Sequence, residues 1–169
     1  MINGKNKLNQ VILSLGGNQG DVIQTFIETK QLIEKNIGLI SKSSSLYKTA
    51  AWGETNQSDF LNQVILVTTN LFPIELLQEC MKIEKQLGRV RTDKNRWKER
   101  IIDIDILFYN NETITLHDLE IPHPQIANRK FILIPLREIS PNLVHPILKK
   151  TIKNLEKNCN DKLNVIKNW

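Results

Sequence analysis

The spacing of apolar residues along the chain predicts alternating strands and helices. The apolar run from Val11 to Leu15 ends at a Gly16–Asn18 turn, which predicts a short buried strand. Apolar residues then recur at three- and four-residue intervals as far as Ile37, which predicts a helix. Asp21 suits the cap at the start of this helix, and Gly38 suits the position just beyond its end.

Two further strands, a helix and a last strand follow in the next seventy residues. Strands are predicted over 39–49 and 60–69, and Pro73 suits the first residue of a helix that ends at Gly88. A strand over 101–109 completes a β-α-β-β-α-β order, which is the ferredoxin-like arrangement. We therefore predict an α+β fold with an antiparallel sheet and helices on one face.

Beyond the Asn110-Asn111 turn, the sequence predicts short strands and helices that are added to this core. One helix is predicted at about Lys130 to Ile139, interrupted or begun near Pro135, and the last at about Lys150 to Lys157. The segment from Val144 to Trp169 carries no motif that points to a role.

Length and composition indicate one domain and a modest positive charge. A chain of 169 residues that is 40% hydrophobic has room for one core, so we predict a single domain over 1–169, with 1–10 as a polar N-terminal extension. The net charge of +5 permits a nucleotide or phosphate ligand as readily as nucleic acid.

The cysteines and the apolar runs predict a cytoplasmic protein. Cys80 and Cys159 form neither a C-x-x-C motif nor a dense disulfide framework, which favours a reducing compartment. The first apolar run, Val11 to Leu13, is far shorter than a signal sequence or a membrane span. We therefore expect no membrane attachment.

A cationic segment directly precedes a strand that carries two carboxylates. Residues 89–100 hold five Arg or Lys before Arg100, with Trp97 among them. Asp103 and Asp105 share one face of the strand, with Cα atoms roughly 6.5–7 Å apart. Carboxylates this close favour a compensating cation such as Mg²⁺ or Mn²⁺. This order indicates metal-assisted phosphate chemistry; on the Asp pair alone, an edge strand kept soluble by its acids is the favoured alternative interpretation.

Several motifs between Val11 and about Val144 occur in the order of one enzyme family. They are Ser14-Leu-Gly-Gly-Asn18, Tyr47-Lys-Thr49, Asp59-Phe-Leu-Asn62, Ile83-Glu84, Gly88-Arg-Val-Arg91, Arg96-Trp97, Arg100-Ile-Ile-Asp103-Ile-Asp105, Ile121-Pro-His123 and Asn128-Arg129-Lys-Phe131. Through them the chain resembles the 6-hydroxymethyl-7,8-dihydropterin pyrophosphokinases of the folate pathway. These enzymes move the β,γ-diphosphate of ATP onto the pterin hydroxymethyl group and release AMP.

The resemblance implies roles for the charged residues. Asp103 and Asp105 would hold two Mg²⁺ ions on the ATP phosphates and so align the hydroxymethyl oxygen for in-line attack. Arg89 and Arg100 would act beside them as catalytic arginines on the phosphates. The implied ATP-binding residues are Arg91, Trp97, Arg100, Ile106, His123 and Arg129. For His123 and Arg91, plain packing and surface roles are the alternatives.

The resemblance also implies a pterin site. Asn62 would read the amide edge of the pterin, and Phe60 and Phe131 would stack on its two faces, although core packing is the alternative for both phenylalanines. The implied pterin-binding residues are Thr49, Trp52, Phe60, Asn62, Trp97 and Phe131. Glu84 is either a family site residue or an ion-pair partner that steadies the base of the basic segment.

The expected mechanism is direct transfer between two small-molecule substrates. ATP with Mg²⁺ binds first, and the 89–100 segment then closes over the phosphates and excludes water. We expect a monomer without a nucleic-acid partner. The alternatives are an RNA-binding ferredoxin-like module, which would lack the usual RNP1 run, a metal-dependent phosphatase or nuclease that uses the same Asp pair, and a non-enzymatic ligand binder.

Overall fold

The computed structural model describes residues 8–50, 57–90 and 99–168 and has the predicted α+β composition. The strands are β1 (Asn9–Gly17), β2 (Gly38–Ser43), β3 (Tyr47–Thr49), β4 (Phe60–Thr69), β5 (Asp103–Tyr109), β6 (Ile114–Leu116), β7 (Leu119–Ile121) and β8 (Val165–Lys167). The helices are α1 (Val22–Asn36), α2 (Pro73–Gln86), α3 (Lys130–Ile139) and α4 (Ile152–Lys157), with a 3₁₀ turn at Ile126–Asn128.

One antiparallel sheet organises the described part of the chain. Its strand order is β5-β1-β4-β3-β8, and β2 pairs with β4 alongside β3. Strands β6 and β7 form a separate hairpin. With β2 and β3 taken together, the order and directions of the first five strands are those of the predicted ferredoxin-like core. In the described ranges, no helix has the length and apolar character of a bilayer span.

The single strand predicted over 39–49 is wrong, because the chain bulges between β2 and β3. Both strands pair with β4, and Ser44 lies at the junction. The backbone N–H of Ser44 donates to the Val64 carbonyl at 2.8 Å, and its Oγ accepts from the Val64 N–H at 3.0 Å. A serine side chain thus replaces part of the backbone ladder, which an apolar pattern cannot report.

The predicted helix ends are confirmed, although one glycine acts differently from expectation. Asp21 caps α1, where its Oδ1 accepts a backbone hydrogen bond from the first turn at 3.0 Å. Gly88 follows α2 with a φ of 95°, the left-handed conformation that glycine adopts readily. Gly38 is required by close packing instead, since a Cβ there would lie 2.1 Å from the Thr68 carbonyl oxygen.

Helices cover both faces of the sheet, so the prediction of helices on one face is wrong. α1 and α2 pack on one face, where Phe26, Ile33, Leu76 and Ile83 join β-strand residues. α3 and α4 pack on the other face. Their contribution to that second core is Ile132, Leu133, Leu136, Ile139, Ile152 and Leu155. The apolar stripe of α3 requires this burial, and the second sheet face supplies it.

The C-terminal third differs from the prediction mainly in detail. α3 has the predicted bounds, but it runs through the buried Pro135 and is neither interrupted nor begun there. α4 is shorter than predicted, because Thr151 caps its start by accepting a hydrogen bond from the Asn154 N–H at 3.3 Å. β8 was not predicted, since three residues are too few to show a period.

A polar cluster joins α3 to β3 across the second face. The Tyr47 hydroxyl donates to Glu138 Oε2 at 2.6 Å, and the Ser45 hydroxyl donates to Oε1 at 2.8 Å. Burial, followed by the bond to Glu138, raises the pKa of Tyr47 to about 12. Burial alone would raise the pKa of Glu138, but the hydrogen bonds from Tyr47 and Ser45 outweigh it and lower that pKa. The cluster therefore favours the neutral phenol and the charged carboxylate.

Tyr47→Phe should lower the free energy of unfolding at pH 7 by about 1–2 kcal/mol, because a hydrogen bond to a carboxylate is lost. The folded-state pKa of about 12 exceeds the ordinary 10.0, so this stabilisation is complete below about pH 10 and is lost as the pH rises towards 12. Denaturant unfolding of both proteins across this range measures it. In a Glu138→Gln background the difference should shrink; a difference that is independent of pH up to 12 would contradict the assignment.

Candidate active site

The predicted site residues Asp103 and Asn62 share one face of the sheet with Gly16 and Tyr47, which lie in two of the family motifs. Asp103 lies directly opposite Gly16 of β1, and Gly16 lies directly opposite Asn62 of β4. Asn62 in turn lies opposite Tyr47 of β3. Residues that are opposite each other in an antiparallel sheet point to the same side, which here is the α3 side.

Gly16, which has no side chain, lies between Asp103 and Asn62 in this row. Neighbouring strands are about 4.8 Å apart, so the Cα atoms of Asp103 and Asn62 are separated by roughly 10 Å. Gly16 projects no side chain into that gap, and a Cβ added there would come within 3.5 Å of Asn62 Oδ1. Gly16 therefore places no side chain between an acidic end at Asp103 and an amide end at Asn62.

At the acidic end, Asp103 is held by two arginines. Arg89 Nη1 donates to Asp103 Oδ1, and Arg100 Nη1 donates to Oδ2 at 2.7 Å. Burial on its own would raise the pKa of Asp103, but the charges and hydrogen bonds of Arg89 and then Arg100 lower it. Burial likewise opposes the charge on Arg89, yet Asp103 and Glu84 raise its pKa. The Asp103 carboxylate therefore stays ionised.

Asp105 lies in a different electrostatic environment, two residues along the same strand face. Burial, then the negative charges of Asp103 and Glu84, raise its pKa to about 7, against the smaller opposing effects of Arg129 and Arg89. Among the described residues, none donates a hydrogen bond to its carboxylate. The arginines thus compensate the charge of Asp105 less than that of Asp103.

This pair of carboxylates fits Mg²⁺ that is shared with a phosphate ligand. Mg²⁺ prefers oxygen ligands and is usually held by one or two carboxylates, with water and substrate phosphates completing its shell. In the described ranges, no group of three or more His, Cys, Asp or Glu side chains could hold a metal. Asp103 and Asp105 are thus a partial ligand set, and the uncompensated charge at Asp105 is what a divalent cation would relieve.

Asn18 positions Arg100, a role that the sequence did not predict. Its Oδ1 accepts from the Arg100 N–H at 2.9 Å, its N–H donates to the Arg100 carbonyl at 3.0 Å, and its Nδ2 donates to the Ser58 carbonyl at 3.1 Å. The neighbouring Gly17 allows the close approach, because a Cβ there would lie 2.5 Å from the Ile101 carbonyl oxygen. The sequence shows only an asparagine after two glycines, and the burial of Asn18 and its bonds to Arg100 and Ser58 come from the fold.

Glu84 reaches the site from α2, around the edge of the sheet. It is 1% exposed, and its Oε1 accepts from Arg89 Nη1 at 2.6 Å and from the Ile104 N–H at 2.7 Å. Of the two roles that the sequence left open, the structure shows the ion pair with Arg89. Because Arg89 directly follows the end of α2, this pair anchors the base of the basic segment.

At the amide end, Asn62 and Thr49 form a buried hydrogen-bonded pair. Asn62 Nδ2 donates to Thr49 Oγ1 at 3.0 Å, and each residue is 4% exposed. This bond uses one of the two Asn62 N–H groups. The other N–H and the Oδ1 acceptor stay available to a ligand that offers a complementary edge.

The two predicted stacking rings each contact an arginine. The Arg100 guanidinium carbon lies 5.5 Å from the centre of the Phe60 ring, and that of Arg129 lies 5.6 Å from the centre of the Phe131 ring. Arg100 therefore touches both Asp103 and Phe60, and so connects the acidic end to the aromatic part of the site.

Of the remaining predicted residues, the structure describes His123 and Ile106. Burial and the nearby Arg129 lower the pKa of His123, whose Nδ1 accepts from the Gln125 N–H at 3.2 Å, so a neutral ring keeps Nε2–H for a ligand. The Ile106 side chain lies in the core against α1 and α2, which leaves only its backbone for a nucleotide. Trp52, Arg91 and Trp97 lie outside the described residues, and their roles stay predictions.

The fold has close counterparts among solved structures. The Plasmodium falciparum HPPK-DHPS wild type with STZ-DHP aligns with 92% of this chain at a TM-score of 0.75 and 21% identity. This chain spans 44% of that longer chain. At this identity the likeness concerns the fold alone, and it agrees with the ferredoxin-like core described above.

Sequence comparison establishes the family. A protein of Aquifex aeolicus named 2-amino-4-hydroxy-6-hydroxymethyldihydropteridine pyrophosphokinase is 42% identical over 86% of this chain and 89% of its own length. The protein of that name from Haemophilus influenzae is 37% identical over 90% of this chain and 96% of its own length. The sequence pattern of one family matches residues 12–141. This chain therefore belongs to the 7,8-dihydro-6-hydroxymethylpterin-pyrophosphokinase (HPPK) family.

Proposed function

We propose that this chain transfers the β,γ-diphosphate of ATP to the hydroxymethyl group of 6-hydroxymethyl-7,8-dihydropterin and releases AMP. Membership of the family makes it a pyrophosphokinase of folate biosynthesis, with ATP as co-substrate. Because of this membership, we do not propose RNA binding, phosphatase or nuclease activity, or non-enzymatic ligand binding as the main function. The residues that perform the transfer are part of the proposal.

The observation that carries the proposal is the row Asp103, Gly16 and Asn62 across three adjacent strands. A phosphate acceptor must reach from a recognition group to the charged phosphates. The roughly 10 Å between the two outer Cα atoms leaves room for a bicyclic ring over Gly16, with its hydroxymethyl group towards Asp103. This proximity reduces the entropic cost of bringing the acceptor oxygen to the diphosphate.

The acidic end prepares the phosphates for transfer. We assign Asp103 and Asp105 as ligands of two Mg²⁺ ions, which when bound supply charge neutralisation at the phosphate oxygens. Arg89 and Arg100 are already beside Asp103, and their guanidinium groups suit phosphoryl oxygens that gain charge in the transition state. In this structure the same arginines compensate Asp103, so they exchange a carboxylate for phosphate when the nucleotide binds.

The amide end selects the acceptor. Thr49 holds Asn62 in a fixed orientation, and the free amide N–H and Oδ1 pair with the acceptor and donor groups of the pterin edge. Phe60 and Phe131 stack on the bicyclic ring, with Trp52 and Trp97 as further predicted contacts. Because a buried amide loses free energy when its partner is absent, this end discriminates against compounds that lack the matching edge.

The nucleotide contacts complete the proposal. Arg129 lies close enough to Asp105 to lower its pKa, and Asp103 lies close enough to the neutral His123 to act on the pKa of its ring. We assign them to ATP together with Arg91, Trp97, Arg100 and the backbone of Ile106. The basic segment 89–100 then closes over the phosphates, which excludes water and protects the diphosphate from hydrolysis.

We further propose that residues 1–169 act as one catalytic domain, in the cytoplasm and as a monomer. A single sheet supports both cores of the described chain, which favours one cooperative unit.

Asp103→Asn and Asp105→Asn should each lower the rate of AMP formation by roughly 100-fold or more, because a metal ligand and its charge are lost. AMP is measured with ATP and Mg²⁺, with and without the pterin, and with EDTA. The unaltered chain should form AMP only when both pterin and metal are present.

Asp118→Asn is the matched control, since Asp118 is exposed and pairs only with the adjacent His117 in the described chain. It should keep the unaltered rate. Unaltered transfer by either Asp103→Asn or Asp105→Asn would remove the metal assignment, and ATP consumption without pterin would support the phosphatase alternative.

Asn62→Ala should raise the dissociation constant of the pterin by about 10-fold or more, because a buried polar edge then lacks its partner. The affinity for ATP alone should stay within about twofold, since the residue lies at the amide end. Fluorescence titration with a non-hydrolysable ATP analogue present measures the pterin, and calorimetry measures the nucleotide. Asn111→Ala, an exposed turn residue, is the control; an equal loss of both affinities would show that Asn62 supports the fold instead.

A further inference from the structure

The C-terminal segment 161–168 contacts two elements that carry proposed pterin-binding residues, which are α3 with Phe131 and β3 with Thr49. The family match ends at residue 141, so this segment lies outside the part of the chain that carries the family pattern. We propose that it is a positioning element for pterin binding, which holds α3 and β3 at a fixed separation. This inference rests on the proposed function, because it assumes that the pterin binds between these two elements.

The first attachment is at the start of α3. Asp161 Oδ2 accepts from the Lys130 N–H at 3.0 Å, and Oδ1 accepts from the Leu163 N–H at 2.9 Å. Arg129, at the cap position, makes no capping hydrogen bond with its own side chain. Asp161 therefore supplies the cap from 31 residues away, and its negative charge also suits the helix N-terminus. Phe131 is the next residue along α3, so this bond fixes the helical turn that presents the ring.

The second attachment is along β3. β8 pairs antiparallel with β3, so that Val165 lies opposite Thr49 and Lys167 lies opposite Tyr47. The Asn168 N–H extends this pairing by donating to the Leu46 carbonyl at 2.8 Å. β3 is only three residues long, and β8 covers the edge that β4 leaves open. Because Thr49 orients Asn62, the position of β3 sets the orientation of the amide.

A third contact joins the two attachments. Lys167 Nζ lies 3.6 Å from Glu138 Oε1 of α3, and Glu138 also accepts the hydroxyl of Tyr47 on β3. Segment, helix and strand therefore form a closed ring of contacts. Release of either attachment opens this ring, so the start of α3, which carries Phe131, and β3, which carries Thr49, are held less rigidly relative to each other.

The β8 attachment lies far from the acidic end, whereas the attachment at Lys130 adjoins Arg129, which we assign to ATP. β8 and β5 are at opposite ends of the strand order β5-β1-β4-β3-β8. Asp103, Asp105 and Arg89 therefore keep their surroundings when β8 is released. This separation predicts that release of β8 lowers pterin affinity with little change in nucleotide affinity, and that release of Asp161 lowers pterin affinity more than nucleotide affinity.

Asp161→Ala and Asn168→Pro each remove one attachment from the full chain. Asn164→Ala is the matched control, because Asn164 is exposed, lies in the same segment and makes no side-chain hydrogen bond in the described chain. The pterin dissociation constant is measured by fluorescence with a saturating non-hydrolysable ATP analogue, and that of the analogue alone by calorimetry. Unfolding midpoints confirm that each variant is folded.

Each attachment variant should raise the pterin dissociation constant by about fivefold or more, the effect of roughly one net hydrogen bond, with analogue affinity within about twofold. The double variant should lose less than the product of the two effects, because either change already releases the segment. Asn164→Ala should match the unaltered chain.

Unchanged pterin affinity in Asp161→Ala, or an equal loss of pterin and analogue affinity, would overturn the inference. Asp161 is partly exposed, so we expect Asp161→Ala to fold. If Asn168→Pro does not fold, the pterin affinity of Asp161→Ala alone tests the inference. If the unaltered chain binds no pterin, the proposed function itself fails and the inference fails with it. If the unaltered chain binds pterin and the variants match it, only the inference fails.

Discussion

The register of β1 against its two neighbours is the constraint on which the site depends. β1 lies between β5 and β4, so Gly16 is opposite Asp103 on one side and opposite Asn62 on the other. A shift of one residue in either pairing would turn an aspartate or the asparagine to the opposite face. The apolar residues that alternate with them on all three strands resist such a shift, since each is buried against α1 and α2. Packing on one face of the sheet therefore sets the chemistry on the other.

The charges at the acidic end are balanced unequally, and this imbalance defines what the site can bind. Arg89 and Arg100 compensate Asp103, whereas Asp105 faces two other carboxylates and has its pKa raised to about 7. Glu84 contributes to this imbalance while it holds Arg89 in place. The arginines attract phosphate and the uncompensated carboxylate attracts a cation, so the end is suited to both together.

The two faces of the sheet have different roles: one mainly stabilises the fold, and the other carries the candidate site. The face covered by α1 and α2 is mainly apolar, with the buried Gln63 and Thr69 of β4 among its few polar side chains. On the other face, α3 covers only part of the sheet, and the strand ends beyond it carry the polar site residues. The start of α3 thus forms one border of the site, and its position matters for binding. Asp161 and β8 determine that position from a part of the chain distant in sequence.

The sequence by itself determined the order of the core elements, the face shared by Asp103 and Asp105, and the family, because periodicity, turn residues and ordered motifs are local patterns. Only the tertiary structure decided the bulge at Ser44, the second helical face and the pairing of β8, since these depend on contacts between distant residues. The role of Asn18 and the bond of Glu84 to the Ile104 N–H belong to the same group: these partners are 82 and 20 residues away, and no local pattern specifies which backbone groups such side chains will meet.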